Sequence, residues 1–189
     1  IPLLLIAIVS IFFSSYKIKS SSIIISVSLT ILWLWIGIVY HFVFFSPINK
    51  AANIFAVLFV LQGLLFFYVG VLKNSLSFSY KNKTQIVLTI ILFLYALIFY
   101  PLLGVAFGHS YPRFPTFGLP CPTTIFTFGL LLLIDQKIKK WLIVIPVIWA
   151  MIGFTAALKL GILQDIGLLL AGVIVVVCFI FNREDKKSV

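Results

Sequence analysis

The chain holds 189 residues, 63% of them hydrophobic and only 10% charged, with a formal net charge of +10 and a mean hydropathy of +1.26. Charged residues alone run to about a quarter of a soluble domain, so this balance excludes a soluble globular protein and any separate soluble module. The positive charge does not point to nucleic acid, because the lysines stand between apolar runs and form no basic stripe with interleaved aromatics.

What remains is a single all-α integral membrane domain over residues 1–189, with the lipid bilayer as its surroundings. Its apolar runs approach the roughly twenty residues that cross a hydrocarbon core about 30 Å thick. Ile1–Tyr16 is apolar with no Met and no basic flank before it, which predicts a first span whose start is missing rather than a signal peptide. Lys17–Ser22 ends it, and Ile23–Phe45 is a second span containing Trp33, Trp35, Tyr40 and His41. Ser46-Pro47 predicts a tight hairpin, with serine as N-cap and proline opening a third span that reaches about Leu72. A polar loop, Lys73–Gln85, precedes a fourth span at Ile86–Leu103. After a proline-rich stretch come a fifth helix at Thr123–Ile134, a sixth at Trp141–Leu158 with Pro146 inside it, and a seventh at Ile166–Asn182. The expectation is a polytopic transmembrane bundle of about seven spans without an internal repeat.

The basic residues orient this bundle. Lys17 and Lys19, then Lys73, Lys81 and Lys83, then Lys137, Lys139 and Lys140, then Arg183, Lys186 and Lys187 fall in every second connection, while Lys50, Arg113 and Lys159 stand one to a loop. By the positive-inside rule this predicts an outside N-terminus and a cytoplasmic C-terminus in the cell membrane of a prokaryote. The proline-rich loop between spans four and five, His41 and Lys159 are then outer. Cys121 and Cys178 are too few for a disulfide framework and are expected to be unpaired.

Small and polar residues mark the faces where spans meet. Ser26, Thr30, Gly37 and His41 share one stripe of span two, and Ala150, Gly153 and Ala157 one stripe of span six, which predicts close helix packing. Trp33, Trp35 and Trp149 fall near mid-span, away from the interfacial belt that Trp141 fits. They either fill the core with their N–H groups satisfied or line a cavity. Gln62, two turns inside span three, needs a partner and is expected to bridge to another helix. Asn49 and Asn53 stand on one face just beyond Pro47, and Lys159 with Asp165 flanks a short outer loop where a solvated pair is expected. None of the four carboxylates, Asp135, Asp165, Glu184 and Asp185, is expected mid-membrane, which excludes an acidic proton relay.

The stretch Gly108–Gly129, GHSYPRFPTFGLPCPTTIFTFG, carries Pro112, Pro115, Pro120 and Pro122 with His109, Arg113 and Cys121. Its prolines impose an extended path until Pro122 opens a helix. That helix, Thr123–Ile134, is only about 18 Å long at 1.5 Å per residue. Either it extends through Asp135 towards Lys140 beneath a surface cap, the arrangement expected here, or the loop dips into the membrane. In the second case Cys121–Thr124, with the hydroxyls of Thr123 and Thr124, would aim free N–H groups at a polar solute.

The runs WIGIVYHFVFFSPINKAANIF (Trp35–Phe55), YPLLG (Tyr100–Gly104) and GHSYPRFPTFGLPCPTTIFTFGLLLL (Gly108–Leu133) resemble the multi-pass membrane proteins grouped as domain of unknown function family DUF 6064. The resemblance covers nearly the whole chain, supports the topology and singles out Tyr40, His41, Asn49, His109, Tyr111, Cys121 and Thr123. It implies no activity. No H-E-x-x-H, G-x-S-x-G or P-loop pattern occurs, so no catalytic residue is assigned and an enzyme is not the expectation. Three functions are carried forward. The first is a permease-like or small-solute binding protein using the outer loop, with Arg113 and Thr124 beside the residues just named. The second is a metal or haem protein in which His41, His109 and Cys121 supply an imidazole and thiolate ligand set and Arg113 meets the haem propionates. The third is an accessory subunit without ligand or cofactor.

Overall fold

The computed structural model describes residues 2–16, 18–80, 82–109, 114–135 and 140–181, apart from the side chains of residues 156, 159, 160 and 181. Seven helices follow one another, and no strand is present among the described residues. They are α1 Pro2–Ser15, α2 Ser21–Phe45, α3 Ala52–Leu72, α4 Lys83–Ala106, α5 Pro120–Leu132, α6 Trp141–Leu160 and α7 Ile166–Phe181. A single 3-10 turn, Leu163–Asp165, leads into α7.

Four stretches, Ser21–Phe45, Ala52–Leu72, Lys83–Ala106 and Leu163–Ile180, are long and apolar enough to cross a membrane. Pro2–Ser15 and Pro120–Leu132 are shorter apolar helices, and α6 is apolar over Trp141–Thr155 within its twenty residues, so of the expected seven spans four stand out by length and hydropathy among the described residues. The shortness of α5 has a packing reason. Every residue of Pro120–Leu132 except Cys121 is buried, and the helix lies against α4, α6 and α7. A helix apolar all round and covered by its neighbours has no lipid-facing surface to match to a bilayer. The expected extension through Asp135 is overturned: α5 stops at Leu132, Leu133 closes it, and Ile134 pairs with Phe78 instead.

The small-residue stripes are packing faces. An added Cβ at Gly37 would stand 2.8 Å from the Val60 side chain and 3.0 Å from the Ala56 carbonyl, so α2 and α3 meet nearly backbone to backbone. On α6, Ala150, Gly153 and Ala157 are buried. Gly153 receives Leu168 of α7, and Ala150 faces Gly172.

Three helices change pitch in ways the sequence does not advertise. Trp35–Phe45, Phe67–Leu72 and Tyr95–Phe99 are π-helical, with N–H groups bonding the carbonyl five residues back. In α4 a cause is visible: Pro101 has no N–H for the Leu97 carbonyl, and Tyr100 N–H bonds Tyr95 O in the widened turn before it. The Ser46-Pro47 reading is also corrected. Ser46 ends α2, its N–H on His41 O and its Oγ on Phe42 O, while α3 starts only at Ala52 without a side-chain cap. The hydroxyl prefers the nearby i−4 carbonyl.

The connections sort to two ends. Ser14 Oγ meets Tyr80 OH at 2.8 Å, and Ser79 N–H bonds Leu133 O while Asp135 N–H bonds Ser77 O. The α1–α2, α3–α4 and α5–α6 connections therefore share one end, called here the basic end. At the opposite, loop end, Gly118 sits on Leu3 and Pro115 on Gly104. Pro115, Gly118 and Pro120 are buried while Phe114 and Thr116 are exposed, so the described part of the loop before α5 packs against the ends of α1 and α4.

Candidate functional site

The site is built where α6 turns into α7. Gly161 adopts φ +70°, ψ +23°, a left-handed cap whose N–H bonds Ala157 O, a conformation glycine adopts without strain. The reversal folds Gln164 and Asp165 inward, leaving them 2% and 4% exposed. The expected solvated pair of Lys159 and Asp165 is thereby corrected: Asp165 is a buried carboxylate, and the Lys159 side chain lies outside the described set.

Helix α4 supplies the partners. Tyr100 OH donates to Asp165 Oδ1 at 2.6 Å, and Tyr95 OH donates to Gln164 O at 2.7 Å. The two tyrosines are five residues apart across the π-helical turn, which brings both rings onto α7 with centroids 6.5 Å apart. Gly167 makes room for them, since an added Cβ would stand 2.3 Å from the Tyr95 ring. At the start of α5, the Cys121 thiol sits beside Asp165, Tyr100 and the Trp149 indole. Tyr40 and His109 lie within electrostatic range of Asp165.

Next to this cluster stands a box of rings. His41 is fully buried, with Phe59, Tyr40, Trp149 and Phe55 at centroid distances of 4.9, 5.0, 5.2 and 5.7 Å. Both its ring nitrogens lack a hydrogen-bond partner, as do Trp149 Nε1, His109 Nδ1, Thr123 Oγ1 and Gln164 Oε1. The seventh such buried atom among the described residues is Gln62 Oε1 on α3. Buried polar groups are nearly always paired, so unpaired nitrogens on His41 and Trp149 within one box of rings mark that box as chemically distinct.

The structure thus brings Tyr40, His109 and Cys121 near Asp165 and sets His41 in the adjoining ring box, while Thr123, two residues beyond Cys121 on α5, is buried. Thr124 is different, because its Oγ1 is spent on Pro120 O at 2.8 Å. Asn49 is exposed at the α2–α3 turn, where its Oδ1 accepts from Ala51 N–H. Asn53 likewise bonds locally, to Lys50 O. Tyr111 and Arg113 lie outside the described residues. His41, His109 and Cys121 share an end without forming a ligand set: among the described residues no three His, Cys, Asp or Glu side chains gather to hold a metal ion. The His41 nitrogens face rings instead.

The remaining expectations divide. Trp33 fills the core and donates from Nε1 to Thr127 Oγ1 at 3.0 Å, Trp35 is 42% exposed on the outside, and Trp149 belongs to the ring box. Gln62 makes the expected bridge, from Nε2 to Leu142 O of α6 at 3.0 Å. Both cysteines are free. Sequence reasoning missed Tyr95, Tyr100, Gln164 and Asp165. A signal existed in Gln164-Asp165, a polar pair between the apolar Gly161-Ile162-Leu163 and Ile166–Phe181.

No curated protein and no solved structure matches the chain. The family model of DUF6064, a family of unknown function, matches residues 1–188, and the chain belongs to that family.

Proposed function

We propose that the protein crosses the cell membrane seven times, N-terminus outside and C-terminus cytoplasmic, and binds a small polar solute at its loop end in a permease-like role. The observation that carries this reading is the buried Asp165 carboxylate, with Tyr100 OH and the Cys121 thiol beside it and a box of rings next to it in which the His41 and Trp149 nitrogens lack hydrogen-bond partners. The neighbours of that carboxylate among the described residues are O–H and S–H donors, with His109 at longer range and no lysine or arginine. Ionisable groups inside membrane bundles line substrate and ion pathways. A solute with a positive charge or several N–H donors would complement the carboxylate, and aromatic rings beside it favour a cation.

The orientation draws on the same two ends. Basic connections collected at one end are the cytoplasmic pattern, which leaves the proline-rich loop and the cluster outside. The test of orientation is thiol labelling on intact cells. A cysteine replacing Arg113 takes an impermeant reagent and one replacing Lys139 does not; labelling at Lys139 from outside overturns the orientation.

The solute reading is tested by titrating purified protein with small amines, amino acids and alkali cations while following its unfolding temperature. The native protein gains stability with at least one of them and Asp165→Asn does not. No response to any solute in the native protein returns the chain to an accessory role.

A further inference from the structure

We propose a second site, independent of the Asp165 cluster though requiring that the chain sit in a bilayer: a lateral groove between α1 and α4 that holds an anionic phospholipid. The groove measures about 420 Å³ and is lined by Ile11, Ser15, Tyr80, Ile90, Phe93 and Leu94. Its wall is apolar along α4, where Ile90 and Leu94 are 47% and 42% exposed. At the basic end it turns polar, through Ser15 and through Tyr80, whose hydroxyl is tied to Ser14.

Charge and length identify the occupant. Lys19 follows Ser15 by four residues and Lys83 follows Tyr80 by three, and both are exposed in the connections that border the groove's polar end. Asn82 caps the start of α4 there through Thr84 N–H at 2.9 Å. A phosphate at this end would have two lysines within four residues of the lining against one described carboxylate, Asp135, which is already engaged by Ser79. From Lys83 to Leu94 the helix rises about 16 Å at 1.5 Å per residue, close to the ~15 Å of one leaflet. An acyl chain laid from the phosphate along Ile90 and Leu94 therefore ends where the leaflet ends. Basic pockets between helices take anionic head groups in this way.

The experiment reconstitutes the full chain in bilayers of equal phosphatidylglycerol and phosphatidylcholine, extracts it in mild detergent, and counts retained lipid by native mass spectrometry. Native protein keeps phosphatidylglycerol over phosphatidylcholine by at least tenfold. Lys19→Ala with Lys83→Ala lowers that preference by about fivefold per lysine. Ile90→Trp, which fills the groove from an exposed position, loses the lipid altogether, while Lys50→Ala at the other end changes nothing. Equal retention of the two lipids, retention unchanged in Ile90→Trp, or a dimer of chains that Ile90→Trp converts to monomer would each overturn the assignment.

Discussion

Asp135 and Asp165 stand at opposite ends of the molecule and solve the same electrostatic problem differently. Asp135 is half-buried in the short pairing of residues 77–79 with 133–135, where its N–H bonds Ser77 O and its carboxylate accepts from Ser79 Oγ. Its neighbours close a turn, and water shares its charge. Asp165 is almost wholly withdrawn from water and leans on Tyr100 and Cys121 from two other helices. The contrast teaches that a carboxylate beside a helix end in an apolar chain is not solvated by default. The left-handed turn at Gly161 and a tyrosine from α4 decide where it goes.

Breaking the donors separates the two ends most. Tyr100→Phe leaves a buried carboxylate oxygen without its hydrogen bond and costs about 2–3 kcal/mol, read from unfolding in mixed detergent micelles. Ser79→Ala, which removes the buried donor of the half-exposed Asp135, costs about 1 kcal/mol by the same measurement, because water can replace that donor at the carboxylate. Equal losses would erase the distinction between the two sites.

Next in size is Gly167→Ala. The new methyl pushes the Tyr95 ring off α7 and destabilises by about 2 kcal/mol, the usual scale of overpacking. Tyr95→Leu in the same background restores part of the loss by clearing the space; no rescue would mean that Gly167 is needed for something other than the ring.

Charge removal gives a smaller effect of opposite sign. Asp165→Asn keeps an oxygen for Tyr100 but withdraws a charge from a site with no lysine or arginine beside it among the described residues, so stability rises by about 1 kcal/mol while the response to solute disappears. That pairing of gained stability and lost binding is characteristic of a functional group held at a cost. Asp135→Asn, shared with water, stays within about 0.5 kcal/mol of native. A gain at Asp135 matching that at Asp165 would show that burial is not what distinguishes them.

Much of the helical frame was legible in the sequence. The positions of α2, α3, α4, α6 and α7 follow from apolar runs bounded by polar loops, and the stripes of Gly37 and Gly153 follow from helical spacing. The π-helical turns were not legible, because Trp35–Phe45 and Tyr95–Phe99 have the composition of any apolar helix and their pitch depends on neighbours. Tyr40, His41, His109 and Cys121 could be singled out as polar or reactive residues towards one end. The local bonds of Thr124 and Asn49 and the rings around His41 were not legible, because a residue's type does not reveal whether a carbonyl four residues back, a turn or a ring stands beside its polar atoms.

By itself, then, the sequence determined an apolar chain of seven helices with its lysines gathered between every second pair, because hydropathy is a sum over some twenty neighbouring residues and needs no knowledge of the fold. Only the tertiary structure decided that α5 is enclosed on every side, and that Asp165 turns inward to meet a tyrosine 65 residues away. Those outcomes depend on one left-handed glycine, one widened helical turn and the close approach of α4 to α7. Such contacts join residues far apart in the chain, and their energies appear only when the helices pack.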